Sequence, residues 1–155
     1  MLANLVIPIV LVANGLAAGV LIGTQLGTWQ LMVSQPPAQY VRTHAFYATR
    51  FDPFMPICLI LTVVGDAALS VVDHGGAGER ALHLLAGLLA LVTVTISIVK
   101  NVPVNKWMRT LDPEDLPADF AARDPRRFWG FWNRVRGFLA VTALLANCVA
   151  LAIVL

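Results

Sequence analysis

The chain has 155 residues, 58% of them hydrophobic and 13% charged, with a net charge of +2 and a mean hydropathy of +0.74. A soluble domain carries about 25% charged residues, so nine acids and eleven bases, most of them clustered, cannot solvate a globule of this length. The composition argues against a soluble enzyme, a nucleic-acid-binding module and a disordered tail, and for an integral membrane protein.

A bilayer core of about 30 Å takes about 20 apolar helical residues. Four runs meet that need, at about 2–33, 53–72, 81–100 and 128–155. The first has no charge, and the second contains one acid, Asp66. The third contains His83 as its only ionisable group up to Val99, and the fourth is uncharged from Gly137. Backbone amides in lipid must be satisfied within the segment. The expectation is therefore a single all-α domain, an antiparallel bundle of four transmembrane helices. The first run lacks a basic n-region and is about twice the length of a signal-peptide apolar core, so it reads as a retained span.

Ten of the eleven basic residues fall in or beside the first and third loops; Arg80 alone lies in the second. The positive-inside rule then makes those two loops cytoplasmic, with both termini outside and a plasma-membrane location. Trp29, Tyr40, Tyr47, Trp107, Trp129 and Trp132 belong to the same interface. Cys58 and Cys148 fall at different depths, which excludes a disulfide between them. Neither sits in a motif with metal-ligand spacing.

Gly15, Gly19, Gly23 and Gly27 recur every four residues in the first span. Small residues at this spacing let membrane helices approach closely, either against another span of the chain or across a homodimer. Thr62, Ser70, Thr93, Thr95, Ser97, Thr142, Asn14 and Asn147 are expected to hydrogen-bond between helices.

The third span ends in Asn101-Val102-Pro103-Val104-Asn105, where the proline should break the helix and the carboxamides satisfy freed backbone groups. Farther on, Trp129, Trp132, Asn133 and Arg136 stand at i, i+3, i+4 and i+7, on one helical face. That face reads as an aromatic belt with snorkelling arginines. It reads equally as a site for a planar anionic or phenolic ligand, with stacking tryptophans, a carboxamide and a guanidinium. After the breaker Pro36-Pro37, residues 39–51 read as a short interfacial helix with Tyr40, His44, Tyr47 and Phe51 on one face. His44 is the only histidine on this side and a candidate base near neutral pH. Asp52 before Pro53 fits an N-cap with proline in the first turn. On the opposite side, Asp66 and His83 suggest either a structural pair or an intramembrane functional site. Together with His74 they would make two histidines and a carboxylate, a set known from non-haem iron, though without a recognised spacing. Expected metal sites: none.

The Asn101–Asn105 element and the Trp129-x-x-Trp132-Asn133-x-x-Arg136 face, with four spans and loop one ahead of Asp52-Pro53, resemble the anthrone-oxygenase-like family of small four-span membrane proteins. The resemblance covers nearly the whole chain. It implies an O₂-dependent oxidation of a polycyclic phenolic ketone at the cytoplasmic interface, with no cofactor, because such substrates form a stabilised carbanion that O₂ attacks. Matched positions are Asn101, Asn105, Trp129, Trp132, Asn133 and Arg136. Asn133 and Arg136 would act on the reacting oxygen, with Tyr47 among the substrate contacts; His44 as base is inferred from placement alone. Expected partners are membrane lipid, an apolar aromatic small molecule and, through the four glycines, a second copy. A non-catalytic membrane partner or scaffold subunit is the alternative, and an ion-coupled carrier using Asp66 and His83 a third reading.

Overall fold

The computed structural model describes residues 2–71 and 76–155, with side chains from Leu5 onward. Eight α-helices follow in chain order: α1 (Leu2–Gly23), α2 (Trp29–Ser34), α3 (Pro37–Tyr47), α4 (Phe54–Val71), α5 (Ala77–Ile96), α6 (Val102–Met108), α7 (Phe120–Arg123) and α8 (Arg126–Val154). No strand occurs among the described residues. Two widened π turns, Thr24–Thr28 and Ser97–Asn101, join α1 to α2 and α5 to α6 without ending the rod.

Four helical rods are long and apolar enough to cross a membrane, Leu5–Ser34, Phe54–Val71, Ala77–Met108 and Phe120–Val154. They form an antiparallel ring in which α1 packs on α4, α4 on α5, α5 on α8 and α8 on α1. Leucines, isoleucines and phenylalanines cover the outside, among them Leu26, Val64, Ile98 and Phe138. Such a surface suits lipid.

The interior is built from small residues, but from alanines. Ala13, Ala17 and Ala18 of α1, Ala86 and Ala90 of α5, and Ala140, Ala143, Ala146 and Ala150 of α8 are all buried. The glycine series does not pack inside the chain: a Cβ added at Gly15, Gly19, Gly23 or Gly27 would meet nothing within 4 Å. The interior reading of those glycines is thereby corrected. Helix propensity explains the exchange, because alanine gives close approach with no backbone entropy cost. Gly65, Gly87, Gly130 and Gly137 do pack tightly, against Val10, Asp66, Trp29 and Ile22 respectively.

Three further expectations change. Pro103 does not break the third rod. Its ring would meet the carbonyl of Val99 four residues earlier, and Val99 lies in the π turn, where the wider spiral makes room. The third span begins earlier than residue 81, so Glu79 is a fully buried member of it. The hydroxyls of Thr62, Ser70, Thr93, Thr95, Ser97 and Thr142 donate to carbonyls three or four residues back in their own helices, the nearest acceptors available to them. Hydrogen bonds between rods come instead from the asparagines, Arg136 and the Asp66–His83 pair. Loop one is helical over Pro37–Tyr47, with Tyr40, Val41 and His44 buried. It packs against α2 and α6. Cys58 and Cys148 are both free.

Gly130→Ala should cost about 1–3 kcal/mol through overpacking, because the new methyl would stand 2.3 Å from the Trp29 ring. Gly19→Ala should be neutral or stabilising by up to about 1 kcal/mol. Thermal unfolding of both variants in lipid nanodiscs checks this; an equal loss at Gly19 would show that the outer face is covered in the membrane.

Candidate active site

A cavity of about 240 Å³ opens at the end of the bundle where loops one and three meet. All four rods and α3 contribute to its wall. Val20, Leu21, Leu59, Met55 and Val94 make the apolar part, Tyr47, Phe51 and Trp129 the aromatic part, and Arg136 with Asn133 the polar end. Ile60 and Ile98 line it as well, yet they are 54% and 62% exposed on the lipid-facing surface. The cavity thus opens sideways between α4 and the third rod.

Arg136 is the charge at its centre. The guanidinium is buried, donating from Nη1 to Ser97 Oγ at 2.9 Å and from Nη2 to Asn133 Oδ1 at 2.7 Å. Because a guanidinium only donates, the Asn133 amide is oriented, and its Nδ2 donates onward to Gln25 Oε1 at 3.1 Å. Arg136 Nε has no hydrogen-bond partner, and no carboxylate pairs with this arginine among the described residues. Ser97 and Gln25 both come from the π turns; such turns recur at functional sites because the extra residue redirects side chains.

A second network forms the roof. Trp129 Nε1 donates to Asn105 Oδ1 at 2.8 Å, and His44 Nε2 lies 3.0 Å from the same oxygen. The indole can only donate, so the shared atom is the amide oxygen and His44 carries its proton on Nε2. Its Nδ1 then accepts from Tyr40 Oη at 3.0 Å. Burial holds the His44 imidazole below its ordinary value of 6.5, opposed by the Asn105 hydrogen bond. The Tyr40 phenol is raised by burial and by Asp124, so it stays a donor. Trp29 stacks at 5.9 Å on Trp129, and Met32, Val41, Met108 and Phe120 close the cluster.

The predicted residues are not all brought together. His44, Tyr47, Asn105, Trp129, Asn133 and Arg136 line the cavity. Trp132 does not: it stands on the outside against Phe128, Phe131 and Lys100. Equal spacing on the helical wheel hid this difference, since Trp132 falls on the edge of the face that turns toward Lys100. Asn101 is buried behind the wall, with Nδ2 donating to the Trp129 carbonyl at 3.3 Å. His44 lines the cavity with both ring nitrogens engaged, which leaves no free lone pair for a substrate. The tryptophans Trp29 and Trp129 are core residues, 8% and 7% exposed, rather than an interfacial belt.

Sequence reasoning missed Gln25, Thr24 and Thr28, which reach the site from the uncharged first rod, and it gave Asp52 a capping role. Asp52 instead lines the cavity as its one carboxylate, immediately before a cis Asp52-Pro53 bond. A polar residue in an otherwise apolar span was the available signal for Gln25. Asp66 and His83 do pair, at 3.1 Å, at the opposite end of the bundle. Among the described residues no group of three His, Cys, Asp or Glu side chains is arranged for a metal, and His74 lies outside them.

Removing the shared acceptor with Asn105→Leu should cost about 1–3 kcal/mol, since the Trp129 and His44 N–H groups are left buried and unpaired. Because His44 is held neutral in the folded state, the unfolded chain binds the extra proton on acidification. Its contribution to stability is complete above about pH 6.5 and falls as pH drops below that value. Unfolding midpoints measured against pH should therefore fall less steeply below 6.5 in His44→Gln than in the parent chain.

A family model described as anthrone oxygenase matches residues 44–146, which is 103 of the 155 residues. Neither the curated proteins nor the solved structures give a significant match. The matched stretch begins at His44 and takes in every polar group of the cavity except Gln25, Thr24 and Thr28. Four membrane-crossing rods and a match over two thirds of its length place this chain in the anthrone oxygenase family.

Proposed function

We propose that the chain is a membrane oxygenase that uses O₂ to convert a flat, apolar phenolic ketone of the anthrone kind into a quinone. One observation carries the reading: Arg136 is a buried guanidinium at the end of an apolar, aromatic-walled cavity, with no carboxylate partner among the described residues and an unused Nε. An isolated charge at such depth is costly, and an anionic oxygen on the ligand would offset it.

The chemistry follows from that oxygen. Loss of a proton from the carbon opposite the ketone gives an enolate whose charge rests on the oxygen, where Arg136 and Asn133 stabilise it. The carbanion passes one electron to O₂, and the two radicals combine into a carbon-bound hydroperoxide. Loss of water then leaves the second carbonyl. One O₂ is consumed, one oxygen atom stays in the quinone and the other leaves as water, and the substrate supplies all the electrons. We assign proton acceptance to Asp52, the carboxylate on the cavity wall, in preference to His44, whose nitrogens serve Tyr40 and Asn105. Access through the lateral opening at Ile60 and Ile98 suits a substrate dissolved in the bilayer. The charge distribution favours the cytoplasmic side of the plasma membrane for this site.

The outward glycine face of α1 supports a second reading, in which two copies meet through Gly15, Gly19, Gly23 and Gly27. Crosslinking of a cysteine introduced at Gly19 in native membrane should give a dimer band if they do, and monomer alone if they do not.

Purified chain in nanodiscs, given an anthrone and O₂, should form quinone with matching O₂ uptake. Arg136→Gln should lower kcat/KM by about 10²–10³ and Asp52→Asn by about 10²–10⁴. Ile98→Trp should raise KM while leaving kcat unchanged. Rates equal to those of empty nanodiscs would remove the proposal, and full activity in Asp52→Asn would remove its base.

A further inference from the structure

The half of the bundle opposite the cavity contains a polar cluster that the oxygenase chemistry does not use. Asp66 from α4, Glu79 and His83 from α5, Asn14 from α1 and Asn147 from α8 are each buried to 1% exposure or less. Asn147 lies eleven residues beyond Arg136 on α8, about 16 Å along the axis, so the two centres are separate.

Proton positions in the cluster are set by groups that can act in only one way. Asn14 Nδ2 donates to the backbone carbonyl of Ala140 at 3.1 Å, which leaves Asn14 Oδ1 as an acceptor. Asn147 Nδ2 donates to that oxygen at 3.3 Å and to Asp66 Oδ2 at 3.1 Å. Asn147 Oδ1 therefore faces His83 Nδ1, at 3.0 Å, and Asp66 Oδ1 faces the same nitrogen at 3.1 Å. Two acceptors require a proton on Nδ1. Both Asp66 oxygens receive donors, which is the arrangement of an ionised carboxylate.

The other ring nitrogen is different. His83 Nε2 is buried without a hydrogen-bond partner, and it points at Glu79 Oε1 across 3.6 Å. With Asp66 ionised, one proton shared by Nε2 and Glu79 leaves the cluster at a charge of −1, and two make it neutral. The nearby Arg80 side chain is exposed and bonds the Ser70 carbonyl. A proton on His83 Nε2 has Glu79 Oε1 as the acceptor it faces, so a second proton has a defined place to sit.

We propose that Asp66, His83 and Glu79 form a proton-binding site inside the membrane, in which the His83 Nε2–Glu79 Oε1 pair takes up and releases one proton while Nδ1 stays protonated. Glu79 stands in the first turn of α5 and connects the site to that face of the membrane. The asparagines hold the tautomer and tie all four helices to it.

The test uses the full chain in nanodiscs, without substrate. ¹⁵N-histidine NMR, with His83 assigned by elimination in His44→Gln and His74→Gln, is read together with pH-difference infrared spectra. Between about pH 5 and 8, Nδ1 should remain protonated while a single titration appears at Nε2 or in a carboxylic-acid carbonyl band. In Glu79→Gln that titration should vanish or move by more than about one pH unit, and Asp66→Asn should shift the Nδ1 resonance while Asn147 Oδ1 still accepts its proton. A His83 ring whose two nitrogens keep one protonation state throughout, with no carboxyl band changing, would overturn the proposal. So would a titration identical in Glu79→Gln. Neither outcome bears on quinone formation.

Discussion

A guanidinium buried in an apolar bundle must find neutral dipoles if no carboxylate is supplied, and much of this fold is arranged to supply them to Arg136. Ser97 and Asn133 accept its protons, and Gln25 in turn accepts from Asn133. Two of these three come from π turns on different rods. A regular helix would carry Ser97 and Gln25 at other angles, so the distortion and the charge belong to one design. The remaining Nε is buried without a hydrogen-bond partner. Part of the cost of holding this charge is thus met by dipoles of the protein, and under the proposed function an enolate oxygen would offset more of it.

The two halves of the bundle hold different polar centres. The cavity holds Arg136 with no paired carboxylate among the described residues, although Asp52 lines the same space, and the far cluster holds two carboxylates around one imidazole. Between them α8 presents Ala140 and Ala143, and α5 presents Ala86 and Ala90. Small residues allow the rods to close together there, so this stretch excludes water and keeps the two polar centres apart. Asn14 bonds to the Ala140 carbonyl within this stretch, four residues from Arg136 on α8.

Much of the architecture was legible from the chain, because lipid imposes a simple rule: long uncharged runs become helices. The residues of the cavity were partly legible for the same reason, as Asn133 and Arg136 stand out on a helix that should be apolar. What spacing could not convey was rotation. Gly19 and Ala18 are neighbours in a uniformly apolar run, and only packing decides that Ala18 faces inward. Trp132 and Trp129 share a nominal face, yet a few tens of degrees place one on Lys100 and the other over the cavity. Glu79 was hidden because an acid beside a glycine-rich loop reads as solvated, and its burial depends on α5 starting a full turn earlier.

The cavity itself arises from unequal helix lengths. At 1.5 Å per residue, α4 with 18 residues spans about 27 Å, while the first and third rods, of 30 and 32 residues, and α8, of 29, reach about 44–48 Å. On one side of the membrane the fourth wall of the ring is therefore missing. α3 crosses that gap, tied to the third rod by His44 and Asn105 and to α8 by Arg126, whose Nη1 donates to the Gln35 carbonyl while its guanidinium covers Tyr40. A short helix laid across a missing one cannot fill the same volume, and the unfilled part is the space beneath Trp129. The lateral opening at Ile60 and Ile98 has the same origin, since the third rod continues past the level at which α4 begins. Shortening one helix of a four-helix ring thus creates a pocket, gives it a roof and leaves its side open to lipid.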